Sequence, residues 1–159
     1  MIRNITNPFC PDQNRCFGCG PRNPVGLKLD FAESDDEVIA VWKPDTNYQG
    51  YNDVLHGGII ATLLDEVAAW FVYIKLETAG VTSELKVKYL KPAHLSKGDI
   101  TAKASLVKRN GNIAYIKCRL YDGSGKLCSE ADADFFVFPA EVATRKFMYP
   151  GISAFYGDS

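Results

Sequence analysis

The sequence predicts an α+β protein: one curved antiparallel sheet of five to six strands wrapped around a single long helix. Three observations predict it. From Ile59 to Ile74 apolar or small residues lie on every side, interrupted only by the carboxylates Asp65 and Glu66. A helix that is hydrophobic all round belongs inside a fold. Beyond Gly80 the chain turns to strand chemistry, with Ser83, Leu85, Val87 and Tyr89 alternating against Glu84, Lys86 and Lys88. The connections there are hairpin signals, too short for crossovers, so the sheet is an antiparallel meander.

Taken in order, residues 1–24 are rich in Asn, Pro, Gly and Cys and read as an arm without regular structure. Leu27, Leu29 and Phe31 alternate with polar residues, and Val38 to Trp42 forms a second strand after a Ser-Asp-Asp turn. A loop from Pro44 to Asp53 leads into the helix, and Gly80 supplies a stop signal beyond its end. At about 16 residues and roughly 24 Å, that helix has core length and is too short and acid-interrupted for a membrane span. The next strand closes at Pro92. Others run from about Asp99 to Lys108, Ile113 to Tyr121 and Lys126 to Phe138, with hairpin turns at Asn110-Gly111 and Asp122 to Gly125. The odd positions Ser83 to Tyr89 are expected to face inward. The tail to Ser159, with Phe147, Met148, Tyr149, Phe155 and Tyr156, is too apolar for disorder and is expected to dock. One domain spans 1–159, with its core at about 25–139, an arm at 1–24 and a tail at 140–159.

Composition narrows the function classes. The 159 residues are 47% apolar and 23% charged with net charge −1, so no long-range field attracts nucleic acid or an anionic membrane. No charged-then-apolar leader opens the chain, and five cysteines fit a disulfide framework poorly. A reducing, cytoplasmic setting is expected. Cys10, Cys16 and Cys19 fall as C-x5-C-x2-C. Zinc is one reading, but a structural site takes four ligands and no fourth Cys or His lies nearby. A redox pair is another, yet no βαβ context follows Cys19. Buried thiols in a packed arm are the expected reading.

Leu55-His56-Gly57-Gly58 followed by Ala61-Thr62-Leu63-Leu64-Asp65-Glu66 resembles the signature of the hotdog-fold acyl-CoA thioesterases, nearest the phenylacetate-pathway group. The run Cys16 to Leu27 is similar to the opening of many members, and Tyr89-Leu-Lys-Pro-Ala93 to their third strand. The likeness covers about 16–139. It implies an acyl-CoA substrate, no cofactor or metal, and a homodimer or dimer of dimers with shared sites. It places the catalytic acid at the ninth position after the histidine, which is Asp65, and a hydroxyl on the facing strand, which Ser83 fits. Gln49 and Asn52 are candidates for the amide side chain that many members carry before the histidine.

The residues support that chemistry. Gly57 and Gly58 stand at a helix start, where N–H groups lack intrahelical partners and the dipole favours an anion. Without Cβ, glycine lets a ligand oxygen approach. Asp65 lies among small residues, Ala61, Thr62, Ala68 and Ala69, and burial is expected to raise its pKa toward a base or nucleophile. His56 is expected to orient the loop, Ser83 and Thr62 to position substrate or water, and Glu66 to play a structural part. Gly57 and Asp65 are about 12 Å apart along one helix. An oxyanion donor must sit within about 3 Å and an attacking group within about 3.5 Å of the same carbonyl. Two antiparallel helices in a two-fold dimer meet both conditions. The acyl chain is expected among Val87, Tyr89 and Trp70, and Lys91, Lys97, Arg109 or Arg145 are candidates for the nucleotide phosphates. Alternatives are a hotdog hydratase or dehydratase, or an acyl-thioester binder without catalysis.

Overall fold

The computed structural model describes residues 1–9 and 11–157. Its elements run β1 (Arg3–Ile5), β2 (Asp30–Glu33), β3 (Glu37–Trp42), α1 (Gly57–Lys75), β4 (Gly80–Tyr89), β5 (Ile100–Asn110), β6 (Ile113–Tyr121), β7 (Leu127–Val137) and α2 (Ala140–Phe147). The strands form one antiparallel sheet of seven in the order β1-β2-β3-β5-β6-β7-β4. The extra strand is β1, which gives the expected irregular arm a short piece of sheet at one edge. At the opposite edge lies β4, ten residues long.

Helix α1 packs across β3 to β7. Ile60, Leu63, Leu64, Val67, Ala68, Trp70, Phe71, Val72 and Ile74 are buried. The sheet meets it with small residues, Ala102, Ala104, Ala114, Ala131 and Ala133, all buried, so the backbones approach closely and water is excluded. Among the described residues α1 is the one helix long and apolar enough to cross a membrane, and it is the core helix of this sheet. Lysines carry the outer face: Lys117 pairs with Asp132 at 3.2 Å and Glu130 at 3.8 Å.

Three local expectations need correction. Helix α1 stops at Lys75, with Leu76 as cap and Glu77 left-handed at φ 52, while Gly80 already begins β4. Gly80 is needed there for another reason: a Cβ would lie 2.9 Å from the Phe136 carbonyl oxygen. The β5–β6 hairpin turns one residue later than expected, since Asn110 pairs with Ile113 and Gly111, at φ 59, takes the first central position. Third, β4 carries a bulge between Thr82 and Glu84. A bulge inserts one residue and reverses which positions face the core. Leu85 and Val87 pack against the core as expected, but ahead of the bulge the even residues point inward, so Ser83 does not.

The apolar tail docks. Tyr149 is 5% exposed and Phe155 0%, and the Tyr149 hydroxyl donates to the Tyr73 carbonyl at 2.9 Å. Phe155 joins Phe9, Trp70 and Tyr73 in one aromatic cluster. Beside it, Glu33 accepts from Lys75 Nζ at 2.6 Å and from the Tyr156 hydroxyl at 2.5 Å, joining sheet, helix and tail. Burial raises the Glu33 pKa, but these hydrogen bonds and the Lys75 charge outweigh it, and the net shift is downward.

A group with a depressed folded pKa stabilises the fold above its unfolded value, and that margin disappears as pH falls through the folded one. Glu33→Gln is therefore expected to cost about 1.5–3 kcal/mol at neutral pH. Urea unfolding from pH 7 down to below about 4 should show wild type and variant converging at the acid end.

Candidate functional site

The loop before α1 is fixed by its own polar groups. Gln49 bridges to Leu55, and its side-chain oxygen accepts from the Asp53 N–H at 3.1 Å. Asp53, left-handed at φ 60, accepts from the Ser96 N–H at 2.8 Å and hydroxyl at 2.6 Å. Asn52 is exposed at the tip. The His56 N–H donates to the Tyr48 carbonyl at 3.0 Å, which sets the residue as N-cap of α1.

His56 Nδ1 accepts the Gly58 N–H at 2.9 Å, so the histidine caps the helix start and occupies the Gly58 donor. No hydrogen bond to the Gly57 N–H is found among the described residues. Gly57 lines two adjoining surface clefts, one with Tyr51, Val54 and His56, the other with Ile60, Tyr89, Lys91 and Ala93. A Cβ on Gly57 would meet the Tyr89 ring at 3.4 Å, and the Tyr89 hydroxyl donates to the Gly57 carbonyl at 2.8 Å. The far end of β4 thus braces the helix start. Thr62 donates its hydroxyl to the Gly58 carbonyl at 3.0 Å.

Two turns along, Asp65 is half-buried and its Oδ1 accepts from the Thr82 hydroxyl at 2.6 Å. Ser83 is exposed and donates to the Asp134 carbonyl at 3.0 Å. The bulge therefore gives Thr82 the place that alternation assigns to Ser83. Strand periodicity alone conceals this, because a bulge leaves no residue signature in a Thr-Ser pair. Gly57 and Asp65 lie on one helix, beside opposite ends of β4, the strand at the edge of the sheet.

Of the basic residues, Lys91 borders the Gly57 cleft. Lys97 pairs with Asp122 at 3.6 Å and Arg109 donates to the Gly111 carbonyl at 3.2 Å. Trp70 cannot line an acyl tunnel: it is 0% exposed and stacks on Phe31 at 4.1 Å.

Glu66 faces the other way, into the N-terminal arm. Its Oε1 accepts from Trp70 Nε1 at 3.2 Å and from the Cys16 thiol at 3.6 Å. Gly18 lies directly against this carboxylate: a Cβ there would sit 2.4 Å from the Glu66 carboxyl carbon, so the Glu66 side chain would have to shift. Burial, with the Cys16 charge adding, holds the Glu66 pKa up at about 7. A hydrogen bond from Cys19 lowers the Cys16 thiol to about 5; burial opposes this, while the backbone N–H groups of Cys19 and Gly18 add to it. Cys19, as donor to Cys16 and itself buried, is raised. Cys16 is exposed and Cys19 half-buried, so these are not the sealed thiols expected from composition. Cys10 lies outside the described residues. The pairing with Glu66 spans some fifty residues of chain and had no local signal.

A seven-stranded antiparallel sheet curled on one helix, with a His-Gly-Gly turn at the helix start, defines the hotdog fold. A sequence model of the Thioesterase superfamily matches residues 52–129, just under half of the chain. Human acyl-coenzyme A thioesterase 13 is 28% identical over 96 residues, 59% of this chain and 68% of that protein. A Saccharolobus solfataricus protein named as an esterase is 28% identical over 86 residues, 54% of this chain and 56% of its own length. The match therefore spans little more than half of that relative. Two solved structures share the fold: a Haemophilus influenzae thioesterase (TM-score 0.67, 20% identity, 77% of this chain and 86% of that one), and a Streptococcus pneumoniae hypothetical thioesterase protein with coenzyme A (TM-score 0.64, 23% identity, 70% and 87%).

His56→Ala removes the cap of α1 and is expected to cost about 1 kcal/mol. Chemical denaturation of His56→Ala beside His56→Asn, which can still accept the Gly58 N–H, checks it; the asparagine variant should recover most of the loss.

Proposed function

We propose that the protein hydrolyses acyl-CoA thioesters, at sites completed by a second copy of the chain. One observation carries this: the helix start and Asp65 sit beside opposite ends of one unpaired edge strand, about 12 Å apart along α1. That distance is too great for one chain to polarise a carbonyl with one group and attack it with the other. Edge strands as long as β4 are normally covered. Pairing it antiparallel with its copy about a two-fold axis brings each Gly57 turn toward the partner's carboxylate, and creates two sites.

In this reading the Gly57 N–H, backed by the helix dipole, holds the thioester oxygen as it becomes an oxyanion. Gly58 contributes through its bond to His56, not as a second donor. Thr82 fixes Oδ1 of Asp65 and leaves Oδ2 for chemistry. Asp65 takes a proton from the attacking water, the C–S bond breaks, and the CoA thiolate leaves with a proton. In the covalent variant the carboxylate attacks first, and water then opens the acyl-aspartate. The acyl group lies along the β4 seam by Val87 and Tyr89, with Lys91 placed for a phosphate. The Thioesterase superfamily match and the coenzyme A complex of the pneumococcal neighbour support this substrate class.

Asp65→Asn is expected to lower thiol release by about 10²–10⁴. Thr82→Val should lose about 10-fold, a charge-assisted hydrogen bond, while Ser83→Ala stays near wild type. A thiol-release screen over short, long and aromatic acyl-CoAs gives the reference rates.

Gly57→Pro tests the oxyanion donor. Proline is tolerated at the first helical position, and His56, at φ −60 and ψ 134, already has the backbone proline demands of its predecessor. The N–H is deleted and a pyrrolidine ring is added, whose Cβ meets the Tyr89 ring at 3.4 Å. A loss of about 10²–10³ is expected, and a circular dichroism spectrum like that of wild type checks that the helix start is kept. Mixing Gly57→Pro with Asp65→Asn chains, after subunit exchange, should restore about a quarter of wild-type activity if sites are shared. No recovery despite verified exchange would sink the shared site.

A further inference from the structure

We propose that Cys16, Cys19 and Glu66 form a site for one thiophilic divalent cation, zinc foremost, which pins the N-terminal arm to α1. The donor atoms of the three side chains all lie within 4.8 Å of one another, and Cys16 Sγ stands 3.6 Å from Glu66 Oε1. A tetrahedral ion with bonds of about 2.3 Å to sulfur and about 2.0–2.2 Å to oxygen places its ligand atoms roughly 3.5–3.8 Å apart. The cluster meets that spacing with small shifts of side chains alone.

The backbone is arranged for it too. Cys16 to Cys19 folds as a tight turn in which the Gly20 N–H donates to the Cys16 carbonyl at 2.9 Å. A Cβ on Gly20 would lie 2.4 Å from the Cys16 nitrogen, and one on Gly18 2.4 Å from the Glu66 carboxyl carbon. Both glycines let the turn close over the carboxylate. Trp70 Nε1 supplies the supporting hydrogen bond that metal-bound carboxylates carry. All three ligands open onto a cleft of about 490 Å³ with Phe9, Tyr73 and Met148 in its wall, which leaves the fourth position to water or a small ligand. Two thiolates with one carboxylate select zinc over magnesium or calcium. The catalytic reading plays no part here, because Glu66 faces away from the Gly57 and Asp65 edge.

Untagged protein, purified under reductant and without chelator, should carry about one zinc per chain by elemental analysis. After chelation, cobalt(II) titration should give a thiolate-to-cobalt charge-transfer band and tetrahedral ligand-field bands that saturate at one ion per chain. Cys16→Ser and Cys19→Ser should abolish the charge-transfer band or reduce its intensity by about half, and Glu66→Gln should weaken affinity at least 10- to 100-fold. Circular dichroism confirms that each variant is folded, and the wild-type titration stands even if one is not. No zinc together with no cobalt spectrum in reduced wild type overturns the proposal. So does metal binding unchanged by both cysteine variants.

Discussion

The structure depends on burying one helix. An apolar cylinder such as α1 has no polar face to offer water, so the chain must supply a surface that covers it on nearly every side. A flat sheet cannot do this. A twisted antiparallel sheet lined with alanine and cysteine over β5, β6 and β7 can curl round it, because small side chains bring the strands close to the helix. The aromatic cluster of Phe9, Trp70, Tyr73 and Phe155 closes one of the remaining sides with segments from both ends of the chain.

What the sheet leaves uncovered is the strip along β4, and the proposed chemistry lies there. The arrangement follows from a conflict. Burial wants helix and sheet sealed, whereas a reactive carboxylate and a free N–H need access. The conflict is resolved at the sheet edge, where Asp65 is half-buried and held by Thr82, and Gly57 lies under the Tyr89 ring. Neither group is free to wander. Neither is closed off.

The other acid of the pair meets the opposite fate. Glu66 lies about 100° round the helix from Asp65, which turns it from the open edge to the N-terminal arm. Its partners are an indole N–H and two thiols. Two neighbouring carboxylates in one buried helix thus have separate environments, one held by Thr82 at the sheet edge and one turned to the arm.

The sequence by itself determined the core helix, the antiparallel strands after it, the presence of the hairpins to within a residue, and the docking of the tail. These follow from periodicity and local backbone chemistry, which act within a few residues. Only the tertiary structure decided the bulge that puts Thr82 and not Ser83 on Asp65, the sealing of Trp70 by Phe31, the pairing of Cys16 and Cys19 with Glu66, and the occupation of the Gly58 N–H at the expense of a second donor. Each of these depends on the register and approach of segments distant in the chain, where a shift of one residue reverses a side chain and no local pattern records it.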